Sequence, residues 1–348
     1  MEKLLFVGDF FYDYDVVQED IKEIGRWVQA NKGALVLNFE GSLGLSHPVA
    51  KRGPNLHMHN SAIDVMKMLN VKVACLANNH MMDYGSEGLE CTISALDRNQ
   101  IIHVGAGNDL ENALRPKIFT VDDKRFGILN FGWDIEETVY ATEFTSGCAP
   151  KDKNLVMSSI SEIRKKVDYL IVCLHWGFEY NRLPLPCDIN LAHQIIDSGA
   201  DLIIGHHPHC VQPLEIYKGK RIYYSLGNFY FGRDRDGYNK AFKHEQVKNQ
   251  SDYGILVEFD CNSYNISEKM ICYSKYTKKS CIVDCDNRVL ENISDMEYKS
   301  WHYHWDAYRR RNNINPILTD KELVNRSKLE ILFFYYKFKE IVKKMIWR

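Results

Sequence analysis

Five apolar segments of this chain run directly into side chains able to hold a metal ion or move a proton. "KLLFVGD" ends in Asp9, and "ALVLNFEG" in Asn38 and Glu40. "VKVACLANNH" ends in Asn79 and His80, "DYLIVCLHWGFEY" passes through His175, and "DLIIGHHPH" ends in His207 and His209. Each apolar run is short and nearly unbroken, as expected of a strand buried on both faces. Helical patterns lie between them. In "AIDVMKMLN", Ile63, Val65, Met66 and Leu69 fall on one face, and "GLECTISALDRN" and "NLAHQIIDSGA" read as further helices. The alternation predicts an α/β fold over residues 1 to 260. In such folds the strand ends carry the functional loops, so five polar ends are expected to meet at one place.

Composition narrows the class. The 348 residues are 45% hydrophobic and 26% charged with a formal net charge of −2, which suits a globular domain and argues against bulk nucleic-acid binding. The 10 cysteines include no C-x-x-C pair, so a zinc ribbon or thioredoxin-type site is not expected. Cys75 and Cys173 lie inside apolar runs and read as buried free thiols. The apolar start is interrupted at Asp9, unlike a signal-peptide core, and no run of 18 apolar residues occurs. The expectation is a cytoplasmic protein. Residues 233–252 read as a polar mobile loop, and "EKMICYSKYTKKSCIVDCD" as an edge hairpin. Residues 1–285 are expected to form one domain and 286–348 a C-terminal helical extension. Its segment 319–348 repeats apolar residues every seven positions (Val324, Ile331, Phe338, Met345), and its basic residues outnumber its acids. That segment reads either as a peripheral membrane or partner helix, or as a helix packed on the domain or at a homo-oligomer seam.

The chemistry at the strand ends is oxygen and nitrogen chemistry, which suits zinc, manganese, iron or magnesium rather than a thiolate site. On an extended segment, His207 and His209 would point to one side, with Pro208 stiffening the backbone between them. Taken alone, such a pair is as readily a polar turn. Asp9 alone reads as a turn carboxylate, Glu40 as a helix N-terminal acid, and Asn79 and His80 as an Asx-turn. Four further polar strand ends shift the balance towards a common site. Buried asparagines need partners, and a metal supplies one.

The segments "GDF", "NFEGSL", "LANNHMMDYG", "HVGAG", "LHWGFEYN", "GADLIIGHHPHCVQPLE" and "YYSLGNFYF" resemble, in order, those of the CapA-type capsule-synthesis family, which includes poly-γ-glutamate capsule proteins. The resemblance covers about residues 1 to 260. It implies a four-layer α-β-β-α sandwich of metallophosphoesterase type with two divalent metal ions (manganese, zinc or iron) at the strand ends. Glu40 then resembles the carboxylate that bridges the metals. Asp9 and His209 would complete one metal site, and Asn79, His175 and His207 the other. His80 resembles a general acid, and Asp9 is a second catalytic candidate. Two departures stand out: Phe11 occupies a position where the superfamily has histidine, and the bridging acid is glutamate rather than aspartate. The Asp9 metal site is therefore expected to be weak or empty.

Lys51 and Arg52 in "VAKRGPN", and Arg182 in "EYNRLP", are candidate contacts for an anionic substrate, or else solvated loop residues. Glu179 and Asn228 also lie close to the motifs and are candidate substrate contacts. The expected function is metal-dependent hydrolysis or transfer on an anionic phosphoester or cell-surface polymer precursor in capsule synthesis. Two alternatives stand: metal-free acid/base chemistry on a peptide or amino-acid centre (an epimerase or amide-forming enzyme), and a non-catalytic assembly factor for a polymer synthase.

Overall fold

Period-two alternation along β1 (Lys3–Phe11) sets the layering. Leu4 and Phe6 face one core, while Leu5 and Val7 face another. Both faces are therefore covered, and this is why the segment reads as continuously apolar. The computed structural model describes residues 2–44, 47–51, 53–133, 137–232, 253–274, 279–285 and 290. The expected loop 233–252, the extension 286–348 apart from Leu290, the helix 319–348 and Arg52 lie outside these residues.

Alongside β1, β2 (Gly33–Phe39), β3 (Val71–Cys75) and β4 (Ile102–Val104) continue one sheet in parallel. Two short strands, β5 (Ala106–Gly107) and β8 (Gly147–Cys148), pair beside it. The second sheet holds β6 (Lys117–Val121), β7 (Lys124–Gly132), β9 (Tyr169–His175), β10 (Leu202–His206), β11 (Leu214–Tyr217) and β12 (Lys220–Tyr223), in the order β11-β12-β10-β9-β7-β6. The first sheet is completed by β13 (Asn228–Phe231), β14 (Tyr253–Asp260), β15 (Ile266–Ser274) and β16 (Lys279–Asp284). Its order is β16-β15-β14-β1-β2-β3-β4, and β13 pairs with the end of β1. The expected edge hairpin is β15–β16.

The helices cover the outer faces. Ile21, Ile24 and Val28 of α1 (Glu19–Ala30) pack on the first sheet with Val65 and Met66 of α2 (Ser61–Met68) and Leu89 and Leu96 of α3 (Gly85–Arg98). After the short α4 (Leu110–Leu114), α5 (Lys153–Arg164) and α6 (Pro186–Asp197) cover the second sheet through Val156, Ile160, Ile163, Ala192 and Ile195. Between the sheets, Phe6, Val36 and Phe259 meet Phe126, Ile171 and Ile204. The result is the expected α-β-β-α order of layers. Among the described residues, no helix is long and apolar enough to cross a membrane.

The two sheets touch at the ends of β1 and β10, where the Val7 carbonyl lies 3.2 Å from His206 Nε2. Strands β1, β2 and β3 run parallel, as do β9 and β10, so each set delivers its C-terminal ends to one edge.

Candidate metal centre

The site begins as a row of strand partners. Asp9 on β1 lies in register with Asn38 on β2 and Asn228 on β13. On the other sheet, His175 and His206 are partners across β9 and β10. Gly8 makes the first row possible: a Cβ there would fall 1.7 Å from the Gly227 carbonyl oxygen, which accepts a 3.0 Å bond from the Asp9 amide.

All of the core donors are buried: Asp9, Asn38, Glu40, Asn79, His80, His175, His207 and His209. Asn38 sits among them. Its amide nitrogen donates to Asp9 Oδ1 at 2.9 Å and Glu40 Oε2 at 3.1 Å, and lies 3.4 Å from His175 Nδ1. The opposite nitrogen of that ring, Nε2, is 2.8 Å from Asn79 Oδ1. His209 Nδ1 lies 2.9 Å from Asn228 Oδ1 and 3.3 Å from Asp9 Oδ2, with its Nε2 3.5 Å from Glu40 Oε1. The last distance is a contact without a directed hydrogen bond, and Glu40 Oε1 has no hydrogen-bond partner.

Two donor groups result. Asp9, Glu40 and His209 bring one ligand atom each within 4.8 Å of one another, and so do Glu40, His175 and His207. Glu40 belongs to both. Each group offers hard or borderline oxygen and nitrogen donors, the type that suits divalent zinc, manganese or iron.

The electrostatics follow from burial. Glu40 is pushed well above the usual carboxylate range by burial, with Asp9 and Glu179 adding to the rise. Burial also opposes charge on Asp9, but bonds and charges from His209, His206 and Asn38 outweigh it and lower its pKa. Burial likewise opposes charge on His209, yet Glu40 and Asp9 hold its pKa well above the ordinary value. His207 falls to about 3 through burial, and His175 falls well below normal through burial and its histidine neighbours. Both are therefore neutral imidazoles, the form that ligates metal.

A test of fit comes from the orphaned atoms. Both ring nitrogens of His207 are buried without a partner, like Glu40 Oε1 and Asn228 Nδ2. Leaving a buried polar atom unpaired costs about 1–3 kcal/mol. A cation between Glu40 and His207 satisfies two of them at once, so the residues present fit divalent metal.

The expected extended H-x-H segment is not what brings the histidines together. Strand β10 ends at His206, and His207 and His209 have φ of 95° and 53°. Such left-handed residues are uncommon outside glycine, and here they lie at the site. This bend turns the His207 amide onto Asp9 Oδ2 at 3.2 Å and sets the His207 ring 4.6 Å from that of His175 and 6.1 Å from that of His209. His206 turns away to Val7.

His80 lies beside the two donor groups. Its Nδ1 is 2.7 Å from Asp83 Oδ2, and burial lowers its pKa. Asp83 also accepts from the Leu56 amide at 2.7 Å and from Lys51. Lys51 is only 9% exposed at its side chain and also reaches the Asn79 carbonyl at 3.3 Å. Its ammonium is thus engaged with Asp83 rather than presented to solvent. Arg182 and Glu179 are exposed on the turn after β9, and Tyr180 of that turn donates its amide to the Pro208 carbonyl at 2.7 Å. Asn228 contacts His209 rather than open space. Phe11 is buried against Phe231, ring centres 5.3 Å apart, so no second nitrogen joins Asp9 from that position.

Sequence reasoning passed over Asn38 as a hub, Asn78, and Asp83. Asn78 ties the second and third strand ends together by donating to the Phe39 carbonyl at 2.9 Å. The signals were present: Asp83 follows His80 by three residues, the reach of one turn, and Asn38 interrupts an otherwise apolar strand.

The profile described as bacterial capsule synthesis protein PGA_cap matches residues 3–233. The chain is similar to the PGA biosynthesis protein CapA of Bacillus subtilis, 34% identical over 56% of this chain and 52% of that protein. It is 31% identical to the "probable polyglutamine synthesis accessory protein" of Mycobacterium tuberculosis, over 60% of this chain and 58% of the relative. It thus spans about half the length of the curated relatives it matches. Among solved structures, a 5'-nucleotidase precursor from Thermus thermophilus superposes with a TM-score of 0.46 at 13% identity, covering 90% of this chain and 59% of that one.

Proposed function

The chain belongs to the bacterial capsule synthesis protein (PGA_cap) family, and we propose that its strand ends form a two-cation centre for hydrolysis or group transfer on an anionic phosphoester or cell-surface polymer precursor. One observation carries this reading: buried Glu40 is shared by two donor groups while its Oε1 and both nitrogens of His207 lack hydrogen-bond partners. Asp9, Glu40 and His209 would hold one cation. Glu40, His175 and His207 would hold the other, with Asn79 Oδ1 beside His175. When bound, the cations supply Lewis-acid polarisation and offset the charge that builds on a transferred group.

The chain's own residues do the rest. Asn38 fixes both carboxylates through one amide group. With Nδ1–H given to Asp83, His80 leaves Nε2 to take up a proton, and the imidazolium so formed, which Asp83 favours, passes that proton to a leaving group. Lys51 and the Leu56 amide hold Asp83 in turn. The test is hydrolysis of bis(p-nitrophenyl) phosphate after chelation and after adding back manganese, zinc or iron. Activity should vanish on chelation and return with one of the metals. Activity that survives chelation contradicts the proposal.

Two other readings have supporting observations. The direct Asp9–His209 contact and Phe11 favour metal-free acid/base chemistry, and the same chelation assay separates it. The description of the mycobacterial relative favours an accessory role in polymer synthesis. In that case an alanine at His80 leaves polymer production in cells unchanged.

A further inference from the structure

We propose that Cys272 and Cys281 are a thiol pair that oxidises to a cross-strand disulfide at the β16 edge of the first sheet. The register places them directly opposite each other on β15 and β16. Opposed residues in an antiparallel pair have Cα atoms about 4.5–5.5 Å apart. A disulfide spans about 4.4–6.8 Å between Cα atoms, so directly opposed positions fall within bridging range.

The side chains share a face. The adjacent opposed pair, Ile271 and Ile282, packs into the core beneath α1. Ser280 Oγ donates to Asp20 Oδ2 of α1 at 3.0 Å on the same side. Alternation therefore sends Cys272 and Cys281 together to the opposite face. Cys281 is exposed and Cys272 half-buried, whereas Cys75, Cys148, Cys173, Cys210 and Cys261 are buried. Burial, with Cys281 and Cys285 nearby, raises the Cys272 thiol pKa. Exchange thus starts at Cys281.

The oxidant is a small-molecule disulfide such as oxidised glutathione. The Cys281 thiolate attacks one of its sulfurs, forming a mixed disulfide and releasing one small thiolate, which takes up a proton. The Cys272 thiolate then attacks Cys281 Sγ and expels the second small thiol. The protein pair loses two electrons and two protons, and the small disulfide becomes two thiols. The bridge closes a short loop and ties β16, and through Ser280 the first helix, to the sheet.

The experiment treats the full chain with oxidised or reduced glutathione, then maps peptides without reduction and records melting. The expected result is a linked peptide pair containing Cys272 and Cys281, with melting raised by about 5 °C in the oxidised protein. In Cys272→Ser, the expected product is a glutathione adduct on Cys281 and no rise in melting. A stable Cys281 adduct in the wild type, or linkage of Cys281 to Cys285 or Cys91 instead, overturns the proposal.

Discussion

Glu40 concentrates the tension at the residue scale. It is fully buried, its pKa is held up by burial and by Asp9, and one of its oxygens has no donor. In metal-free protein that is a cost of about 1–3 kcal/mol, so added metal should raise the melting of the wild type and raise it less in Glu40→Gln. Calorimetry with and without metal measures this, and an equal rise in both proteins speaks against it. Asp83 is the second residue of consequence, because it fixes His80 Nδ1. Asp83→Asn should cut kcat about 10²–10⁴-fold with metal content unchanged. A loss of metal in that variant would place Asp83 among the ligands instead. At this scale the sequence exposed the donors and concealed their connections. His207 and His209 are legible as a pair, but the left-handed backbone that aims them is set by Asp9 and the β10 end, far away in the chain.

At the element scale, the site depends on strands approaching too closely for any side chain. A Cβ on Gly205 would lie 1.9 Å from the Tyr224 carbonyl oxygen and 2.6 Å from Trp176 Nε1. Gly205→Ala should therefore cost about 1–3 kcal/mol or more and displace the turn that carries both histidines. Urea unfolding gives the first effect and metal titration the second. Unchanged behaviour in both would mean that β10 has room the structure denies it. Strands β1, β2, β9 and β10 were legible, since each is apolar on both faces. The helix α1 was harder to see. Its Ile21, Ile24 and Val28 are spaced for one face, but its N-cap, Gln18, makes no side-chain capping bond to mark a start.

At the scale of the whole molecule, the inter-sheet core holds two sets of strand ends at one edge. Phe126 lies in its middle, packed on Phe119, Tyr169 and Phe259 with ring centres 4.7–6.1 Å apart along that cluster. Phe126→Ala should cost about 3–5 kcal/mol in denaturant while leaving metal stoichiometry intact, because the proposed ligands lie outside this cluster. The layer order was legible from alternation plus resemblance; contact between the two sheets was not, because it joins residues as distant as Val7 and His206. The centre itself is tested most directly by elemental analysis of the protein purified without added metal, beside Glu40→Gln. The account predicts about one to two equivalents of manganese, zinc or iron per wild-type chain, the Asp9 group filling less than the His175 group, and loss of all of it in the variant, since Glu40 serves both donor groups. A wild-type chain that carries no metal and binds none on addition, or a variant that retains its metal, would contradict it.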